Sequence, residues 1–392
     1  MFHNSEHAAD RFGLRDAGNI YGRLTNPTED VFERRIAALE GGVAALAVGS
    51  GAAALTYAFQ AVAHAGDHIV AAKNIYGGTY NLLAHTLPDY GIEATFVDPF
   101  DYDGIKAAIK ENTKAIEIET LGNPNSEVVD IEKIANIAHE AGIPLIVDNT
   151  FATPINCRPF EWGADIVTHS TTKYMDGTAS QVGGCVVDSG NFNWMEHADK
   201  FPGLCTPDES YHGLTYAEKF GKMGYITKLV AQLMRDLGSI PAPMNSFILN
   251  LGLQSLHLRM KQHCTNAQRV AEFLKSDERV AWVHFSGLPG DEYHELAKKY
   301  LPNGSCGVIA FGLKGDRETA IKFMDSLNMI NIVTHVADAH TCVLHPASHT
   351  HRQMSDEQLR EAGVAPDLIR LSVGIEDVED ILDDIKQALE KI

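Results

Sequence analysis

Three short segments carry the residue types with which this chain could do chemistry. The first ends in a lysine: His169-Ser170-Thr171-Thr172-Lys173 sets hydroxyls and an amine within a few positions. The second, Ile146-Val147-Asp148-Asn149-Thr150, closes a strongly apolar run with a carboxylate. The third, Val48-Gly49-Ser50-Gly51-Ala52, is a small-residue turn between an apolar run and a helical pattern. Each also has an ordinary reading: a surface lysine, an aspartate that caps a turn, a tight loop. The third invites comparison with a dinucleotide-binding turn, but position 54 is Ala54 and the third glycine of GxGxxG is missing.

Taken together, the three supply one chemistry. Lys173 offers an amine that forms an imine with an aldehyde. Asp148 offers a carboxylate that keeps a pyridine nitrogen protonated. Ser50, Gly51 and Ala52, with Ser170 and Thr172, offer an anion cradle at a helix N-terminus. Pyridoxal 5′-phosphate (PLP) needs these three things. A lysine displaced by a substrate amine is then free to move protons between carbons.

Such groups must be positioned by strands. Short apolar runs at Ala44–Val48, His68–Ala72, Glu93–Val97, Ala115–Thr120, Pro144–Asp148, Asp165–His169 and Gly184–Val187 alternate with helical patterns such as Ala52–Ala63 and Ile131–Ala141. The pattern predicts an α/β fold with a mainly parallel sheet, and ligands there sit beyond the carboxyl ends of the strands. Before it, the chain reads as an irregular arm, with Asn26-Pro27-Thr28 opening a helix over Glu29–Glu40. After Gly238 a long helical pattern runs over Asn245–Leu274, Val308–Phe311 reads as a strand and Val378–Ile392 as an acidic surface helix. The expected division is an arm over 1–43, a large unit over 44–240 and a small C-terminal α/β unit over 241–392.

At these residues the sequence resembles the Cys/Met-metabolism PLP enzymes of fold type I. The likeness spans nearly the whole chain. It is carried by Tyr21-Gly-Arg23-Leu-Thr-Asn-Pro-Thr, Ala-Leu-Glu-Gly-Gly near residue 40, Gly49-Ser-Gly, Val147-Asp-Asn-Thr, His169-Ser-Thr-Thr-Lys173 and Arg370-Leu-Ser-Val-Gly. The resemblance implies a large domain built on a seven-stranded sheet. It implies that Tyr21 and Arg23 reach the phosphate of a neighbouring subunit, that Tyr76 stacks on the cofactor, and that Asn123 lies near the cofactor oxygen and the substrate carboxylate. Arg370 would grip that carboxylate. It further implies a homodimer with shared sites, joined into tetramers by an arm that in the family precedes the point where this sequence begins.

Two segments depart from the family pattern. Across Thr334–Thr341, His335 falls where sulfhydrylases commonly carry Asn and Ala337 where most members carry Gly, so His335 is expected at the substrate. His349 is added within the His345…His351 frame. The histidines at 335, 340, 345, 349 and 351 match no common zinc spacing, and no metal is expected.

Segments around Pro207, Ala242 and Val364 look most like the O-acetylhomoserine sulfhydrylases of the family. They imply γ-replacement: sulfide or methanethiol takes the place of acetate at Cγ, giving homocysteine or methionine. Methionine or cystathionine γ-lyase and cystathionine γ-synthase are the alternatives, since the same lysine, tyrosine and aspartate serve all of them. The net charge of −20 disfavours nucleic acid and anionic membranes. Six scattered cysteines without a CxxC pair, and no long apolar run, suit a cytoplasmic enzyme of small molecules.

Overall fold

The structure, a computed structural model, describes residues 2–123, 125–349 and 365–392. Met1, Pro124, His351 and Val364, which carry parts of the motifs above, lie outside the described residues.

The alternating pattern folds into two sheets. The first has seven strands: β1 (Ala44–Val48), β2 (His68–Ala72), β3 (Glu93–Val97), β4 (Thr113–Glu119), β5 (Leu145–Asp148), β6 (Ile166–His169) and β7 (Gly184–Asp188). Their order is β1-β7-β6-β5-β4-β2-β3, parallel except for β7, which runs against both neighbours. The strands β2, β4, β5 and β6 are covered on both faces, as a parallel sheet requires, and are mostly apolar; β4 is the exception, with Glu117 and Glu119 buried in it. At one edge β1 pairs with β7 alone, Ala44 opposite Asp188. The free N–H of Ala47 on that edge donates to Glu33 Oε1 at 2.8 Å.

The second sheet follows in sequence: β8 (Val280–His284), β9 (Val308–Leu313), β10 (Asn331–Ile332), β11 (Cys342–Leu344) and β12 (Leu368–Ser372), in the order β10-β11-β12-β9-β8.

Helices place these sheets. The arm is not wholly irregular: α1 (Ser5–Phe12) is capped by the Asn4 side chain, yet buries no residue. In α2 (Pro27–Glu40), Asn26 accepts the Thr28 N–H, Pro27 sits where no donor is missed, and Gly41 at φ 81° ends the helix. The small side chains Ala54, Ala58 and Ala61 let α3 (Gly51–Val62) lie close against β6 and β7. The helix α4 (Ile131–Glu140) buries one apolar face beside β5. The 34-residue α5 (Pro243–Ser276) starts at its proline. Its first half packs into the core of the first sheet and its second half into that of the other. The amphipathic α6 (Val378–Leu389) packs on that second core, a little shorter than its pattern suggested.

Candidate active site

Every element that ends near Lys173 contributes a fixed group. Lys173 follows β6, and α5 clamps the backbone just beyond it. Arg259 of α5 donates to the carbonyls of Tyr174 (2.6 Å) and Met175 (3.4 Å). Gly252 is needed at this crossing, since a Cβ there would stand 2.2 Å from the Met175 carbonyl oxygen. Burial pushes the Lys173 ammonium down to about 8, and the Arg370 charge adds to that shift.

Asp148 ends β5. Its Oδ1 accepts from the Thr150 backbone at 2.9 Å and from the Thr150 hydroxyl at 2.5 Å. That hydroxyl in turn accepts the Ser170 N–H at 2.9 Å, which joins the two strand ends. Oδ2 has no partner among the described residues. Burial raises the Asp148 carboxyl, opposed by the two Thr150 hydrogen bonds and by His169. Register sets Glu119 of β4 opposite Asp148, and Glu117 stands two residues back on the same face. Burial first, then the charge of Asp148, raises both glutamates well above the ordinary carboxylate range.

The cradle forms at α3. Ser50 accepts the Ala53 N–H through Oγ at 3.1 Å, and its carbonyl takes Ala54 at 3.1 Å. The first two N–H groups of the helix, on Gly51 and Ala52, are left for a ligand. Ser170 faces them: a Cβ on Gly51 would lie 2.7 Å from the Ser170 Cβ. The Thr172 hydroxyl is instead engaged with the Gly183 backbone, at 3.1 and 3.2 Å.

Arg370 of β12 completes the floor. It is 8% exposed, and among the described residues no carboxylate pairs with it. Its donors go to Asn123 Oδ1 (3.5 Å) and to the carbonyls of Thr334 (3.1 Å) and His335 (3.5 Å). The His335 ring lies beside Lys173, Nδ1 to Nζ 3.4 Å. Tyr76 is 56% exposed, and its N–H donates to Glu119 at 2.7 Å. Tyr21 and Arg23 stand apart from this group. Tyr21 is 61% exposed, and Arg23 bonds the Arg235 carbonyl and stacks on Tyr21.

Of the other histidines singled out in the sequence, His340 and His345 satisfy local bonds. His345 contacts Ser348 Oγ and the Pro366 carbonyl at 2.6 and 2.9 Å, and His340 contacts Asp338 at 3.2 Å. Three residues that shape the site were given no role in the sequence: Thr150, Glu119 and Arg259. Glu-x-Glu inside a buried strand was the one available signal.

A profile of the family described as Cys/Met metabolism PLP-dependent enzyme matches residues 1–390. The chain belongs to the Cys/Met metabolism PLP-dependent enzymes. Homocysteine/cysteine synthase of Saccharomyces cerevisiae is 45% identical over 403 residues, covering all of this chain and 91% of that one. O-acetyl-L-homoserine sulfhydrylase of Leptospira meyeri is 44% identical over 401 residues, covering all of this chain and 90% of its own length. A solved Campylobacter jejuni chain, described as an O-acetylhomoserine (thiol)-lyase holding N′-pyridoxyl-lysine-5′-monophosphate, superposes with a TM-score of 0.96 at 40% identity, covering all of this chain and 93% of that one.

As in other Cys/Met metabolism PLP-dependent enzymes, the cofactor is pyridoxal phosphate. The donor set here fits it. An amine of lowered basicity, a half-buried carboxylate with one oxygen unpartnered among the described residues and an open helix N-terminus share the ends of neighbouring strands. Among the described residues no helix is long and apolar enough to cross a membrane.

Proposed function

We propose that this enzyme catalyses γ-replacement on O-acetylhomoserine, with sulfide or methanethiol as acceptor, giving homocysteine or methionine and acetate. The observation that carries the amino-acid part of this reading is Arg370. A buried guanidinium without a protein carboxylate is costly. An α-carboxylate between Arg370 and Asn123 removes that cost and sets the α-carbon near Lys173. The printed names of the relatives support the acyl-homoserine substrate and the sulfur acceptor.

When bound, pyridoxal phosphate supplies an aldehyde for the amine and a ring that accepts electrons from the α-carbon. Asp148 holds a proton on the ring nitrogen through its free Oδ2. Ser50, Gly51, Ala52 and Ser170 are assigned to the phosphate, with Thr172 joining them by giving up its donation to the Gly183 carbonyl. Lys173 carries protons from the α- and β-carbons, and its lowered basicity keeps it poised for both directions at neutral pH. Tyr76, exposed beside this group, would lie against the cofactor ring and assist departure of the acetate.

The proposal extends to assembly. On α5, Met244, Phe247, Leu251 and Leu258 form an exposed apolar row at helical spacing, and Tyr21 projects from the arm. A second copy of the chain covers this row and receives Tyr21 and Arg23 at its phosphate; pairs of such dimers make a tetramer. We further propose the arm, large and small units as 1–43, 44–240 and 241–392, and the cytoplasm as the compartment. All strands of the first sheet precede residue 241 and all of the second follow it.

The test is an assay of the purified enzyme with O-acetylhomoserine plus sulfide, and with methionine, cystathionine or homocysteine alone. Mass spectrometry reads the products. Homocysteine from the first mixture with little keto acid from the others is expected. Abundant 2-oxobutanoate from the single substrates would replace γ-replacement by γ-elimination, and cystathionine made from added cysteine would indicate a synthase.

A further inference from the structure

The reaction proposed above leaves one imidazole beside its central amine without a task. His335 Nδ1 lies 3.4 Å from Lys173 Nζ. An ammonium can only donate, so Nδ1 is the acceptor and the ring hydrogen sits on Nε2. Nε2 is buried and has no partner among the described residues. The backbone fixes the ring. The His335 carbonyl accepts from Arg370 and from the Cys342 thiol, each at 3.5 Å. The Ala337 N–H donates to Ser372 Oγ at 2.8 Å, and the Ala339 N–H to the Gly177 carbonyl at 2.9 Å. The last bond ties the His335 loop directly to the loop that carries Lys173.

Four charged groups face the imidazole: Lys173, Arg370 on β12, Asp338 on its own loop and Asp176 beyond the lysine. Burial first, and then the Lys173 charge, hold it below its ordinary value, while the two aspartates oppose them. It is neutral at neutral pH.

We propose that neutral His335 is a positioning residue for Lys173, accepting a hydrogen bond from the ammonium formed when Lys173 takes up a proton. The inference rests on the assignment of Lys173 as the cofactor lysine. The proton leaves a substrate carbon for Nζ, and the C–H electron pair stays on the substrate. No proton passes to the imidazole; Nδ1 only orients the N–H. When the imidazole is itself protonated on the acid side, the acceptor is lost and two cations face each other, so Lys173 becomes a weaker base.

The experiment follows loss of the α-proton of norleucine, an amino acid with no leaving group, into deuterium oxide by the loaded enzyme from pH 5 to 9 in wild type, His335→Asn and His335→Leu, which reads Lys173 as the base once the substrate amine has displaced it. The Asn Oδ1 occupies the place of Nδ1 but does not titrate. The midpoint in His335→Leu is expected to fall by about one pH unit, a roughly tenfold weaker hold on the proton. His335→Asn is expected to keep the wild-type midpoint and to lose the step below pH 6.5. A midpoint unmoved in His335→Leu, or an acid step that persists in His335→Asn, overturns the role. If His335→Leu fails to fold by circular dichroism, the acid step of His335→Asn decides alone. Borohydride reduction of wild type with peptide mass spectrometry separates the two readings. Unmodified Lys173 removes the cofactor-lysine assignment and this inference with it; modified Lys173 with unchanged titrations removes the inference only.

Discussion

Arg370 brings a positive charge into a place where the described fold offers it no carboxylate. Such a group destabilises the empty protein, and its worth appears only when an anion arrives. Replacing it with leucine therefore separates function from stability. Arg370→Leu is expected to lower kcat/KM by roughly 30–150-fold, the equivalent of about 2–3 kcal/mol of charge-assisted hydrogen bonding. The melting temperature of the variant should equal or exceed that of wild type. A clear drop in melting temperature would mean that the guanidinium holds the fold together through the Thr334 and His335 carbonyls instead. At this scale, Lys173 and Asp148 were legible because residue type and position at a strand end are both written locally. Thr150 was not, although it stands two residues from Asp148. Its role lies in bridging to the Ser170 N–H, twenty residues away, and spacing does not announce such a contact. Arg259 was hidden for the same reason: its partners are the carbonyls of a loop eighty-odd residues earlier.

Strands and helices show where an element's boundaries come from. The apolar runs matched the strands within a residue or two, because strands covered on both faces are mostly apolar, although β4 buries Glu117 and Glu119. The helix α1 escaped notice because it buries nothing, and its only marks are a capping Asn4 and a polar amphipathic turn. The edge of the first sheet offers a prediction at this scale. Glu33 of α2 accepts the unpaired Ala47 N–H of β1, and its carboxyl is pushed up to about 7. Burial is the main cause; the Ala47 bond opposes it, and Glu29 and Asp30 add to it. A carboxyl whose folded-state value is raised contributes stability that is complete below its unfolded value and is lost as pH rises through the folded one. Wild type should lose melting temperature as pH rises from about 4.5 to about 7, and little more above that. Glu33→Gln keeps a neutral acceptor at the same place and should flatten that slope, as read by calorimetry at each pH. An equal slope in both proteins would assign the loss to other groups.

Across the whole molecule, the proposed dimer makes a prediction that no single chain can satisfy. If Tyr21 and Arg23 serve the neighbouring site, a Tyr21→Phe chain and a Lys173→Ala chain, each impaired alone, should recover activity when mixed. One of the two sites in such a dimer combines an intact Lys173 with an intact Tyr21. Absence of recovery in verified mixed dimers would confine each site to one chain. The sequence showed the strands of the first sheet, but only one strand of the second, Val308–Phe311, and not how α5 joins their cores, because a helix pattern does not say what lies on each side of it.

The place of β1 has a further consequence, in time. Among the described residues its only strand partner is β7, and Ala44 must wait for Asp188. At ribosomal rates of about 5–20 residues per second, the intervening stretch takes roughly 7–28 s to appear. The face of α2 that packs on α5 waits longer still, because α5 begins at Pro243. During that interval Ala44–Val48 is an apolar, unpaired segment on a nascent chain. The first strand of the sheet is thus among the last to be closed in, and until then it is a natural foothold for a chaperone.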